Sequence, residues 1–225
     1  MIKMKKIILV LLCILLVSCQ RSFDIKKDLN DLFLNEKDIE LKTRKNNYAD
    51  YIDYYRPSDI FEIDSDDLSY SFKYNNSSMI MNINIAGIIN NHFYNVYYQK
   101  DEGFFDHSKL IYERNDTYFT EIEDEPFIYQ LYQDNDDYLL YFATRYLIFY
   151  GLAKAEDIVP LTSKMLFLAK SSNVKEDLIV ANYSSKDIID YEKKQVNLFE
   201  TTMPVSGKLD EFLIDNDKEA LDVEE

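Results

Sequence analysis

The chain predicts an α+β fold: an antiparallel sheet built from β-hairpins, followed by a helix-containing C-terminal part and preceded by a stem helix. Three observations lead there. Period-two alternation dominates the middle of the chain, apolar residues recur at helical spacing near both ends, and the 225 residues include only four glycines, too few for a glycine-rich parallel α/β plan.

Each element has its own signal. Ile25, Leu29, Leu32, Phe33 and Ile39 lie at roughly helical spacing, with Asp24 placed to cap and Lys26, Lys27, Asp28 and Asp31 on the other side, which predicts a stem helix. The stretch "TRKNNYADYIDYYRPSD" turns from polar to tyrosine-rich and reads as a linker that joins the domain near Tyr51. In "LSYSFKYNNSSMIMNINIAG", Tyr70, Phe72 and Tyr74 alternate with Ser69, Ser71 and Lys73, a polar turn covers Asn75 to Ser78, and Met79, Met81, Ile83 and Ile85 share a face. That is a β-hairpin. A second hairpin is expected in "KLIYERNDTYFTEIE", turning at Asn115 and Asp116. With strands in "FYNVYYQ" and "FIYQLYQ", the sheet should have about five or six strands.

Past Asp137 the pattern changes. "YLLYFATRYLIFYGL" is apolar on nearly every side around Arg145, and is either a buried helix or two short strands turning at Ala143 to Arg145. It is too short and too charged to span a membrane. A helix starting near Asp157 carries Pro160 in its first turn, where the missing N–H costs little, and turns Leu161, Met165, Leu168 and Ala169 to the core. "DLIVANY" reads as a further strand, and "KDIIDYEKKQVNLFE" fits helix or strand equally. From Asp210 the tail has eight acids and one lysine, and a short helix around Leu209 to Ile214 followed by disorder is expected.

The amino end has the form of a targeting segment. Lys3, Lys5 and Lys6 precede an eleven-residue apolar run, Ile7 to Val17, and a bilayer-spanning helix needs about 17–25 apolar residues. Leu16-Val17-Ser18-Cys19 resembles the lipobox of bacterial lipoprotein signal peptides: a branched apolar residue, a tolerant position, a small residue, then cysteine. The resemblance covers about the first twenty residues and implies cleavage before Cys19, a diacylglycerol on its sulfur and attachment to the membrane on the extracytoplasmic side. Two or more acyl chains give lasting anchorage where one does not. Cys13 would leave with the signal.

The resulting plan is a signal peptide over residues 1–18, a lipid-anchored stem and linker over 19–50, a single α+β domain over 51–209 and the acidic tail over 210–225. The mature part has no second cysteine, so a disulfide or thiolate metal site is excluded and a hydrophobic core must hold the fold. Losing the signal lysines takes the formal charge from −16 to −19, which excludes a phosphate-binding nucleic-acid protein. Charge is also unevenly placed: Gln20 to Asn47 has seven basic and six acidic residues, whereas Tyr48 onward has fifteen against thirty-five. Anionic headgroups tolerate the first part and repel the second. The nineteen tyrosines and fourteen phenylalanines, beside abundant Ile, Asn and Lys, follow an AT-rich codon bias rather than a binding platform.

Motifs for chemistry are sparse. The two histidines, His92 and His107, stand in loop-like contexts, and neither a G-x-S-x-G elbow nor a glycine-rich phosphate loop is present. No cofactor is expected. Carboxylate clusters remain: Asp64, Asp66 and Asp67; Glu123, Asp124 and Glu125; Asp134, Asp136 and Asp137. Asp64, Asp66, Asp134 and Asp136 are the calcium candidates, but position five of an EF-hand loop would be Leu68 or Tyr138 and the glycine is missing, so turns with Asx hydrogen bonds are favoured. The expected function is a non-catalytic binding or assembly module, held to the membrane through Cys19 and serving an envelope protein partner. A substrate-capturing lipoprotein of a transporter and an envelope hydrolase are the alternatives.

Overall fold

The computed structural model describes residues 24–41, 44–94, 107–120 and 123–184. The signal segment with Cys13 and Cys19, most of "FYNVYYQ", the "KDIIDYEKKQVNLFE" stretch, Pro204 to Gly207 and the acidic tail lie outside them. Among the described residues are four α-helices and ten strands in antiparallel sheets, an α+β fold. No helix among them is long and apolar enough to cross a membrane.

The first helix, α1 (Ile25–Glu36), begins where its sequence says it should: the Asp24 carboxylate accepts the Lys27 N–H at 3.1 Å. Its apolar stripe does not stand apart as a stem. Leu29 and Phe33 are fully buried, and the Phe33 ring stacks on Phe127 at 5.2 Å and meets Tyr129 edge-on at 5.3 Å. Burying side chains of this size contributes about 1.5–3 kcal/mol each, which explains why the helix docks.

After α1 come two short strands, β1 (Asn47–Tyr48) and β2 (Ile52–Tyr54), then β3 (Phe61–Ser65), β4 (Ser69–Tyr74) and β5 (Ser77–Ile83). The expected hairpin is β4–β5, with Tyr74 opposite Ser77 and a tight turn at Asn75–Asn76. Asn75 takes φ 51°, a left-handed conformation that asparagine tolerates better than most residues. Ile85 does not continue the strand face but opens α2 (Ile85–Tyr94), which also takes in Phe93 and Tyr94 of the expected "FYNVYYQ" strand.

A four-stranded meander follows: β6 (Leu110–Phe119), β7 (Asp124–Asp134), β8 (Asp137–Thr144) and β9 (Leu147–Ala153). Here the turn expected at Asn115–Asp116 is overturned. Both residues sit in mid-strand, opposite Ile128 and Phe127, and the chain reverses after Phe119, where Thr120 and Glu123 exchange hydrogen bonds. Asp116 has a reason to be in a strand, because its carboxylate accepts from Lys37 Nζ at 2.8 Å and from Arg114 Nη2 at 2.5 Å.

The ambiguous run around Arg145 resolves into β8 and β9 joined at Arg145–Tyr146. The seven-stranded sheet has the order β3-β4-β5-β9-β8-β7-β6, so β9 and β8 are central, and Ile148, Tyr150 and Tyr141 on one face are buried just as Phe149 and Phe142 are on the other. Central strands buried on both faces lose the alternation that marks a half-exposed strand. The sheet reaches seven strands because the run around Arg145 supplies β8 and β9 and because β3 adds an edge strand with no alternation signal: all five of its residues are exposed, and a bulge interrupts its pairing between Glu62 and Asp64.

The chain closes with α3 (Ile158–Ser171), β10 (Asn173–Val174) and α4 (Glu176–Tyr183). Helix α3 starts after Asp157 and buries Leu161, Met165, Leu168 and Ala169, as its spacing predicts. The "DLIVANY" segment forms α4 instead of a strand. Its β-prone residues are outweighed by context, since Lys175 C=O starts the helical ladder at Leu178 and Ile179, and Ile179 is buried against the core. Strand β10 pairs with β2, which also carries β1, in a separate three-stranded sheet that brings the Asn47–Tyr54 stretch into contact with the C-terminal part.

Candidate functional site

The carboxylate loops fold as turns. Asp66 Oδ1 accepts from the N–H groups of Leu68 at 2.9 Å and Ser69 at 2.7 Å, an Asx arrangement that leads β3 into β4, and Asp64 Oδ1 accepts from Ser65 N–H at 2.9 Å. Asp134 and Asp137 face each other across the β7–β8 turn, in which Asn135 has φ 52° and Asp136 is exposed. Lys109 reaches Asp134 and Lys154 reaches Asp137, each at 2.6 Å. The calcium candidates Asp64 and Asp66 therefore sit at one end of the sheet and Asp134 and Asp136 at the other. Among the described residues no three His, Cys, Asp or Glu side chains come close enough together to hold a metal ion. His107 begins the short 3-10 turn before β6, and His92 lies partly exposed on α2, its Nδ1 3.7 Å from Glu176 Oε1.

A different constellation forms where the β8–β9 turn meets the start of β7. The Arg145 Nη2 donates to Glu123 Oε1 at 2.7 Å and also to Glu125 Oε1. The Glu125 side chain is only 4% exposed and that of Arg145 12%, while Glu123 reaches solvent. Arg145 also lies over the Tyr146 ring, 4.4 Å from its centre. Beyond it, Tyr146 OH is 3.5 Å from Glu176 Oε2 on α4, which continues the polar chain to His92.

Local sequence builds this geometry. Thr144 Oγ1 accepts from Leu147 N–H at 2.9 Å, which closes the turn that presents Arg145. Asn84 secures the turn from the other side: its amide donates to Thr144 C=O at 3.0 Å, its own N–H donates to Tyr146 C=O at 2.8 Å, and its Oδ1 accepts from Gly87 N–H at 2.9 Å as the cap of α2. Gly87 is required by this packing. A Cβ there would lie 2.8 Å from Arg145 O and 2.3 Å from Asn84 Nδ2.

Burial pushes the Glu125 carboxyl up to about 7; the Arg145 charge opposes that rise and the neighbouring Glu123 adds to it. Glu123, held by the same guanidinium in a more exposed position, is lowered. The two acids thus divide one cation unequally, and Glu125 holds its proton to higher pH than Glu123 does. Glu125 Oε2 and Arg145 Nε have no hydrogen-bond partner among the described residues, which adds to the cost of ionising the buried carboxyl. Chemically the arrangement is a protonation-sensitive brace linking two turns.

Both halves were visible in the sequence but not their meeting. Glu123, Asp124 and Glu125 stand out as a carboxylate cluster and Arg145 as the one charge inside an apolar run. The usable signal was that a buried arginine needs an acid partner. The chain matches no protein-family model and no curated protein.

Proposed function

We propose that the protein is a cell-envelope lipoprotein, a non-catalytic binding or assembly module attached to the outer face of the membrane through a diacylated Cys19 and serving an envelope protein partner. The observation that carries this is Leu16-Val17-Ser18-Cys19 placed directly after a lysine-flanked apolar run of eleven residues.

The test is direct. Cys19→Ala should move the protein from the membrane fraction to the soluble or uncleaved pool, and mass spectrometry of the mature amino terminus should show acyl mass on Cys19. Unchanged membrane attachment, or an unmodified terminus, would refute the anchor. Crosslinking in intact cells should recover a stoichiometric protein partner; recovery of none would refute the assembly role.

A further inference from the structure

We propose that the end of the domain carrying the Asn75–Asn76 and Asn135–Asp136 turns is apposed to the lipid surface, and that the Glu123–Glu125–Arg145 end points away from it. This rests on the lipid anchor at Cys19 and adds to it a defined orientation.

The two ends of the sheet are fixed by its register. Tyr74 pairs with Ser77, Ser78 with Leu152, Leu139 with Leu152 and Asp134 with Asp137, while Leu110 lies opposite Tyr132. The Asn75–Asn76 turn, the end of β9, the Asn135–Asp136 turn and the start of β6 are therefore all at one end. At the other are the bend at Asp66, the Arg145–Tyr146 turn and the Thr120–Glu123 reversal.

Helix α1 connects this frame to the anchor. Its Asn30 Oδ1 accepts from Tyr112 OH at 2.8 Å and from Arg114 Nη1 at 3.2 Å, whereas Lys37 reaches Asp116 and its carbonyl accepts the Phe119 N–H at 2.9 Å. The helix therefore runs in the same direction as β6, and its amino terminus lies at the Leu110 end, beside the Asn135–Asp136 turn. Five peptide steps separate Cys19 from the cap residue Asp24, which limits the tether to about 18 Å even when fully extended. Strand β6 has ten residues, so the far end of the sheet is about 30 Å further on. A tether this short, fixed to a helix packed in the core, does not leave the domain free to present either end.

The experiment uses the full, processed and lipidated chain. With Cys19 acylated and Cys13 lost, an introduced thiol is the only one open to labelling. Asn76→Cys, Asp136→Cys, Asp67→Cys and Asp124→Cys, all at exposed positions, are each labelled with a fluorophore. The proteins are reconstituted into phosphatidylethanolamine–phosphatidylglycerol vesicles with a nitroxide on the headgroup. Labels at 76 and 136 should be quenched several-fold more than those at 67 and 124. Equal or reversed quenching in vesicle-bound protein overturns the orientation and leaves the anchor intact. Failure of the lipidated protein to float with the vesicles overturns both.

Discussion

Replacing Glu125 by glutamine isolates the energetic role of the buried acid. The unfolded chain ionises this residue near 4.5 and the folded protein holds its proton up to about 7. At about 1.4 kcal/mol per pH unit, that difference makes about 3 kcal/mol of stability depend on pH. The sign follows from which state binds the proton. Between the two values the folded protein keeps a proton that the unfolded chain has lost, so this contribution is complete below about 4.5, declines as pH rises through 7 and is gone above it. Glutamine has the shape of the neutral acid, can accept the same hydrogen bond from Arg145 and does not titrate. Urea unfolding followed by circular dichroism between about pH 4 and 9 should therefore give wild-type and Glu125→Gln proteins of similar stability at the acid end, with the variant more stable by about 3 kcal/mol at the alkaline end. Parallel curves for the two proteins, or a wild type that gains stability relative to the variant as pH rises, would show that Arg145 keeps Glu125 ionised and would refute the protonated brace.

Three further outcomes are expected. Phe33→Ala removes the ring packed against Phe127 and Tyr129 and should cost about 3–5 kcal/mol in urea unfolding; a loss below about 1 kcal/mol would mean that α1 is dispensable to the core. Gly87→Ala places a methyl against Arg145 O and Asn84, which should cost about 1–3 kcal/mol and displace the Glu125 titration followed by carboxyl NMR; an unchanged titration would mean that the two turns are not braced together. Burial resists ionisation of Asp116, yet hydrogen bonds from Lys37 and Arg114 hold it at about 2, so its stabilisation is present above its ordinary value and is lost as pH falls toward 2. Asp116→Asn should abolish that part of the acid sensitivity and lower neutral-pH stability by about 2 kcal/mol, checked by the same unfolding series.

What could be read in advance was whatever depends on near neighbours in the chain. The β4–β5 hairpin shows itself because Tyr70 and Phe72 are buried on one side of β4 with Tyr74 partly so and polar residues alternating between them, and α3 because one stripe of it faces the core. Where several partners act at once, the local pattern is silent or misleading. Asn115 and Asp116 have the composition of a turn, but Lys37, 79 residues earlier, joins the neighbouring Arg114 in pairing with Asp116 within a strand. Leu178, Ile179 and Val180 favour a strand in isolation, and a ladder begun at Lys175 makes them helical. Helix α1 carried the correct cap and stripe, yet nothing in its own residues named Phe127 and Tyr129 as the surface it covers. For the candidate site, the sequence supplied the charged residues without the fold that brings residue 145 back to residues 123 and 125.

The burial of α1 also sets an order of events for a chain made from its amino end. Phe33 is synthesised more than ninety residues before Phe127, the ring on which it stacks. The first helix to emerge is thus denied its native cover until the seventh strand has been made. In the interval its apolar stripe stays open, and the finished domain withdraws it by closing over it.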